Sequence, residues 1–168
     1  VGLDLGLPTG VLASLAGVES EQNGHMLAAL LAADGVSYLP HGGVAHQLAV
    51  HLAASRAVVS NAFPPYGLHE FPPAVGKIPQ HRSDAGTFLL ADAYGAQRCV
   101  YVKDRDLGVP SIDADQLRER GDSPVDPLVL ELMRTAKHVR EIQVVNGLSR
   151  GALSDAVGGK PAGTLISA

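Results

Sequence analysis

Apolar and polar positions change their period several times along the chain, and each change marks an element. Over residues 19–33 the side chains of Met26, Leu27, Leu30 and Leu31 fall on one helical face. Glu19 or Ser20 starts this predicted helix and Asp34-Gly35 ends it. Residues 36–39 form a short apolar strand, and a Pro40-His41-Gly42-Gly43 loop leads into a second helix over residues 44–54. Residues 56–60 follow as a buried strand. A third helix begins at Ser83 or Asp84, runs to about Tyr94 and stops at Gly95. Residues 98–103 are a nearly continuous apolar run, the signature of a strand covered on both faces. Helices are predicted over 113–119 and 126–138, a strand over 142–145, a short helix over 151–157 and a last strand over 163–166.

Helices separating short apolar strands predict an α/β fold with a mainly parallel sheet. Two stretches interrupt the alternation. Residues 61–82 carry Pro64, Pro65, Pro72, Pro73 and Pro79, and loops of that length are functional or disordered more often than they are plain connections. Polarity also rises abruptly over residues 103–110. The glycines of Gly6-Leu7-Pro8-Thr9-Gly10 match neither a P-loop nor a dinucleotide fingerprint, so this segment reads as a turn.

Length and composition narrow the picture. A chain of 168 residues has room for one domain with a core. Aromatics are 4% and Trp is absent, so that core rests on Ala, Val, Leu and Ile. The formal net charge is −4 and no two Lys or Arg are adjacent, which argues against nucleic acid as a partner. An anion site on such a chain needs local donors, such as helix N-termini or protonated imidazoles. The single Cys99 excludes an internal disulfide framework and fits a reducing cytoplasm. No apolar run is long enough to span a bilayer, so no membrane partner is expected. The Val1-Gly2-Leu3-Asp4 start has no basic segment of a signal peptide and reads as an interior point of a longer fold.

The candidate chemistry lies in seven histidines and a few carboxylates. His41 precedes the second helix, and Gln47 and His51 are four apart on it and share a face. His46 projects about a hundred degrees away from Gln47. His69 stands beside Glu70 in the proline-rich stretch, and His81-Arg82 closes it. These imidazoles either converge on a metal or oxoanion or lie scattered on the surface; no H-x-x-x-H or C-x-x-C pair decides between the two. Asp84 either caps the third helix or holds Mg²⁺ and orients a phosphate at its N-terminus. Lys103-Asp104 and Asp106 follow an apolar strand, where ligands bind in open parallel sheets, or form a solvated loop. Ser, His and Asp are scattered without a nucleophile elbow, which argues against a hydrolase.

Several stretches, taken together, resemble one family. They are Gly2-Leu3-Asp4-Leu5-Gly6-Leu7-Pro8, Gln22-Asn23-Gly24-His25, Ala62-Phe63-Pro64-Pro65-Tyr66, and the Ile78-Pro79 to Asp84-x-Gly86 segment. Gln143-Val144-Val145-Asn146-Gly147-Leu148 and Gly163-Thr164-Leu165-Ile166 complete the set. The chain resembles the molybdenum/tungsten storage proteins, relatives of uridylate kinase. That resemblance implies a three-layer αβα amino-acid-kinase-like fold, with the N-terminal phosphate-cradling part of the family missing from this chain. It also implies a cytoplasmic hetero-hexamer with a related storage subunit. There, ATP and Mg²⁺ drive the loading of molybdate or tungstate, deposited as polyoxometalate clusters in a cage.

On the family pattern, His41, Gln47 and His51 match cluster-contacting positions. His69 and Glu70 are what remains of a histidine run, Gly67 and Leu68 having replaced the rest. Asp84, Lys103 and Asp104 match positions near the triphosphate, as the catalytic and nucleotide-binding set of an ATPase coupled to oxoanion loading. Pro40 replaces a cluster-contacting carboxylate, and Leu107-Gly108-Val109-Pro110 replaces an acidic-Gly-aromatic nucleotide loop. The alternatives are a uridylate-type nucleoside-monophosphate kinase and a non-catalytic subunit that lines the cage.

Overall fold

The structure, a computed structural model, describes residues 4–7, 9–61 and 83–168. The chain forms two compact units, Val1–His81 and Arg82–Ala168.

The first unit is built from α1 (Thr9–Leu30), a 3-10 turn (Ala32–Asp34), β1 (Val36–Tyr38), α2 (His41–Ala54) and β2 (Ala57–Val59). β1 and β2 pair in parallel, with Val36 opposite Ala57 and Tyr38 opposite Val59. α1 starts ten residues before the predicted helix, so of the glycine-rich segment Gly6 lies in a turn while Thr9 and Gly10 are already helical. The early start follows from Val11, Leu15 and Val18, whose spacing of four and three continues a helical row. Nor is the predicted apolar face the buried one: Met26 is 51% exposed and Leu30 80%, whereas Ala28 is 7% exposed. The helix meets the strands through small residues instead. A Cβ on Gly24 would come within 2.7 Å of the Tyr38 ring, so only glycine permits this approach.

α2 also starts early. Pro40, with φ −59 and ψ 146, is its N-cap, and His41-Gly42-Gly43 make its first turn where a loop is predicted. Gly43 lies so close to Leu39 that a Cβ would stand 3.0 Å from Leu39 Cδ1. Leu39 is fully buried, and its N–H donates to the Val59 carbonyl at 2.9 Å.

The second unit contains α3 (Ser83–Ala93), β3 (Val100–Lys103), β4 (Ser111–Asp113), α4 (Ala114–Arg120), α5 (Pro127–Met133), β5 (Glu141–Asn146), α6 (Ala152–Val157) and β6 (Thr164–Ser167). Its sheet runs β3-β5-β6-β4. β3 and β5 are parallel, as are β4 and β6, and one antiparallel junction joins β5 to β6. Phe88 of α3, Leu117 of α4 and Leu130 and Met133 of α5 pack with Tyr101, Ile142, Val144 and Ile166 from the strands. α6 packs on β5 and β3, where Val145 and Ala156 are buried outside that cluster. Helices therefore cover both faces of a mainly parallel sheet, as the sequence predicts.

Two expectations fail locally. β4 is not predicted because Ser111-Ile112-Asp113 has a single apolar residue; it is a strand through its pairing with β6. The helix predicted over 126–138 stops at Met133. The N–H groups of Lys137, His138 and Val139 donate to the Asp92 carboxylate and so make no helical bonds. Among the described residues no helix is long and apolar enough to cross a membrane.

Candidate functional site

In the second unit, chemistry collects at the carboxyl end of the parallel pair β3 and β5. Lys103 and Asn146 are register partners there. The chain then turns tightly: Gly147 N–H donates to the Lys103 carbonyl at 2.7 Å, and a Cβ on Gly147 would lie 2.6 Å from Val102 Cγ1. α3 begins over this edge and brings Asp84 to Lys103. The ammonium donates to both carboxylate oxygens, at 2.9 and 2.7 Å. Asp84 Oδ2 also accepts the Asp126 N–H at 3.0 Å, and the Asp126 side chain in turn caps α5 through Leu128 N–H at 2.9 Å.

Both readings of Asp84 drawn from the sequence involve the N-terminus of α3. Its carboxylate ties three elements together: its own helix, β3 and the start of α5. The Lys103 and Asp84 side chains are 25% and 18% exposed, so the pair is reachable from solvent but largely sheltered. Asp104 is exposed on the turn after β3. Asp106 accepts the Gly108 N–H at 2.9 Å and so shapes the loop. Thr164, fully buried, closes that loop: its hydroxyl donates to the Val109 carbonyl and accepts the Leu107 N–H.

Tyr101 and Asp126 were not singled out from the sequence. Tyr101 donates its hydroxyl to the Asp84 carbonyl at 2.8 Å, and burial pushes its phenol pKa well above the ordinary value. A tyrosine inside an otherwise aliphatic strand was the available signal, since a buried phenol needs an acceptor.

In the first unit, the predicted imidazoles sit on and around α2. His41 is its first residue; its N–H donates to Asn61 Oδ1 at 2.9 Å. Asn61 Oδ1 also accepts the Tyr38 hydroxyl at 3.2 Å, and the Tyr38 ring lies against His25 with centroids 3.8 Å apart. Burial lowers the His41 pKa below its ordinary value, partly offset by the Asn61 contact. His51 is half-buried, with Nδ1 3.3 Å from Ser37 Oγ. Gln47 and His46 are exposed.

Gln47 and His51 share a face of α2, but ten residues of helix separate His41 from His51, a rise of about 15 Å. One ion cannot bridge that span. Among the described residues, no three His, Cys, Asp or Glu side chains gather to hold a metal ion. His69 and Glu70 lie outside the described residues.

No protein-family profile matches the chain. It is 40% identical, over 183 aligned positions, to the molybdenum storage protein subunit beta of Azotobacter vinelandii (strain DJ / ATCC BAA-1303), covering 100% of this chain and 67% of that relative. The chain belongs to the molybdenum storage protein family. A solved UMP kinase from Bacillus anthracis superposes with a TM-score of 0.68 over 99% of this chain and 72% of its own. At 14% identity that likeness shows the fold alone, an amino-acid-kinase-type α/β fold.

Proposed function

We propose that this chain is a molybdenum storage subunit that takes up molybdate or tungstate with a related subunit in a cytoplasmic hetero-hexamer. The observation that carries this reading is the 40% identity to the storage subunit beta across the whole chain. The geometry supports it in two places. α2 carries His41, Gln47 and His51 along about 15 Å of helix, too long a span for a single ion. Imidazole is chemically fit for that cargo: protonated it donates to oxo groups, and neutral it ligates the metal.

The Asp84–Lys103 pair supports a role in ATP handling. It stands at the carboxyl edge of parallel strands, where open α/β sheets bind ligands. The residues fit Mg-ATP only through an exchange of partners. Both Asp84 oxygens are engaged, so Lys103 would hold a phosphate and Asp84 an Mg²⁺ only once the pair had separated, the metal supplying positive charge to the phosphates. Asp104, exposed beside them, adds a carboxylate. ATP hydrolysis supplies free energy for loading. The residues of this chain would orient the phosphates and neutralise their charge, as phosphoryl transfer requires.

The test is elemental analysis after expression of the full protein with its partner subunit in molybdate. Molybdenum or tungsten well above the level of an unrelated control, with uptake dependent on ATP, is the expected result. Protein that emerges with neither metal would end the storage reading. The replacements at Pro40, Gly67 and Leu68 are the ground for the competing reading, a cage-lining subunit that does not hydrolyse ATP. In that case, Lys103→Met in this chain alone would leave uptake by the assembled complex unchanged.

A further inference from the structure

Tyr101 stands two residues before Lys103 on β3, so both side chains project to the same face of the sheet. The Tyr101 residue is 5% exposed and belongs to the core that includes Ala85 and Phe88 of α3. Core packing explains the ring but not the hydroxyl, which a phenylalanine would lack. That hydroxyl donates to the Asp84 carbonyl at 2.8 Å. The Lys103 ammonium lies 5.9 Å from the ring centroid, within the range at which an aromatic face attracts a cation. One side chain thus touches the main chain of one member of the ion pair and the charged end of the other. Its phenol is held neutral by burial and donates at any working pH.

We propose that Tyr101 is a positioning residue for anion recognition at the β3 strand end. Its hydroxyl sets the first turn of α3 at the height where the Asp84 carboxylate meets Lys103. Its ring keeps the ammonium at the sheet edge when a phosphate draws it away from Asp84. The inference rests on the reading of this edge as the phosphate end of a nucleotide site.

The test uses the full-length protein and two readouts. One is Mg-ATP affinity by calorimetry. The other is the NMR signal of lysine labelled with ¹³C at Cε, the Lys103 peak being assigned by its loss in Lys103→Met. Tyr101→Phe keeps the packing and removes the hydroxyl; it is expected to weaken Mg-ATP about five-fold, the equivalent of one hydrogen bond. Tyr101→Leu also removes the aromatic face and is expected to weaken binding further and shift the Lys103 signal. A residue that only fills the core would lower the melting temperature and leave affinity in the folded protein unchanged. Native affinity in both folded variants, with the Lys103 signal unmoved, would overturn the proposal. If Tyr101→Leu does not fold, Tyr101→Phe alone decides by the same two readouts. Native protein that binds no Mg-ATP, while the Lys103 signal still moves in the variants, would sink the nucleotide reading and leave the hold of Tyr101 on the pair standing.

Discussion

Asp92 and His138 bind each other reciprocally. The His138 N–H donates to Asp92 Oδ1 at 2.7 Å, and His138 Nδ1 lies 2.8 Å from the Asp92 carbonyl oxygen. The carboxylate also takes the N–H groups of Lys137 and Val139. Together these contacts tie the end of α3 to the segment that leads into β5.

That tie predicts an acid-sensitive step. The backbone donors of Val139, His138 and Lys137 hold the Asp92 carboxyl at about 2, below its ordinary 3.8. The unfolded chain therefore binds the proton first as pH falls. The stabilisation is complete above pH 3.8 and is lost as pH falls through about 2. Asp92→Asn should lower the melting temperature at pH 6 and flatten its dependence between those two values. Thermal melts of both proteins across that range check it; parallel curves would refute the assignment.

His41 predicts a second window at higher pH. Burial lowers its folded pKa below 6.5, so the unfolded chain protonates first. Its contribution is full above 6.5 and declines as pH falls below it. His41→Gln should remove this part of the decline between pH 7.5 and 5, measured by chemical unfolding. An identical slope in wild type and variant would count against it.

Thr164→Val is nearly isosteric but leaves the Leu107 N–H and the Val109 carbonyl without the hydroxyl they share. Unpairing these half-buried polar groups costs about 1 kcal/mol. Urea unfolding should show a loss of that size, and hydrogen exchange should quicken at Leu107. Unchanged exchange there would mean that the loop is held by something else.

Lys103→Met should separate function from stability. A partly sheltered ion pair contributes only about 1 kcal/mol, so the melting temperature should barely move. ATP-dependent molybdate uptake should fall at least about ten-fold, as expected when a phosphate-binding charge is removed. Asp84→Asn should cost more stability than Lys103→Met, because Asp84 also holds the Asp126 N–H.

Local information in the sequence was enough for the alternation of helix and strand and for the mainly parallel sheet. The apolar run Ile142 to Val145 is a strand buried on both faces, as its pattern predicts, whereas Val100-Tyr101-Val102 is a strand with only Tyr101 buried and Val102 49% exposed. Gly95 and Gly35 have a positive φ that ends the preceding helical turns as their positions suggest. His41, Gln47, His51, Asp84, Lys103 and Asp104 could be picked out by residue type and by resemblance.

What tertiary structure alone decided was which partners those residues take. β4 exists through pairing with β6. α1 turns its small residues, not its leucines, to the strands, because close approach to Tyr38 selects glycine over bulk. Asp84 engages Lys103 and Asp126, nineteen and forty-two residues away in the chain. Periodicity reports the environment of a segment averaged over its own turns. A hydrogen bond between distant segments depends on where each backbone is placed, and no local pattern encodes that.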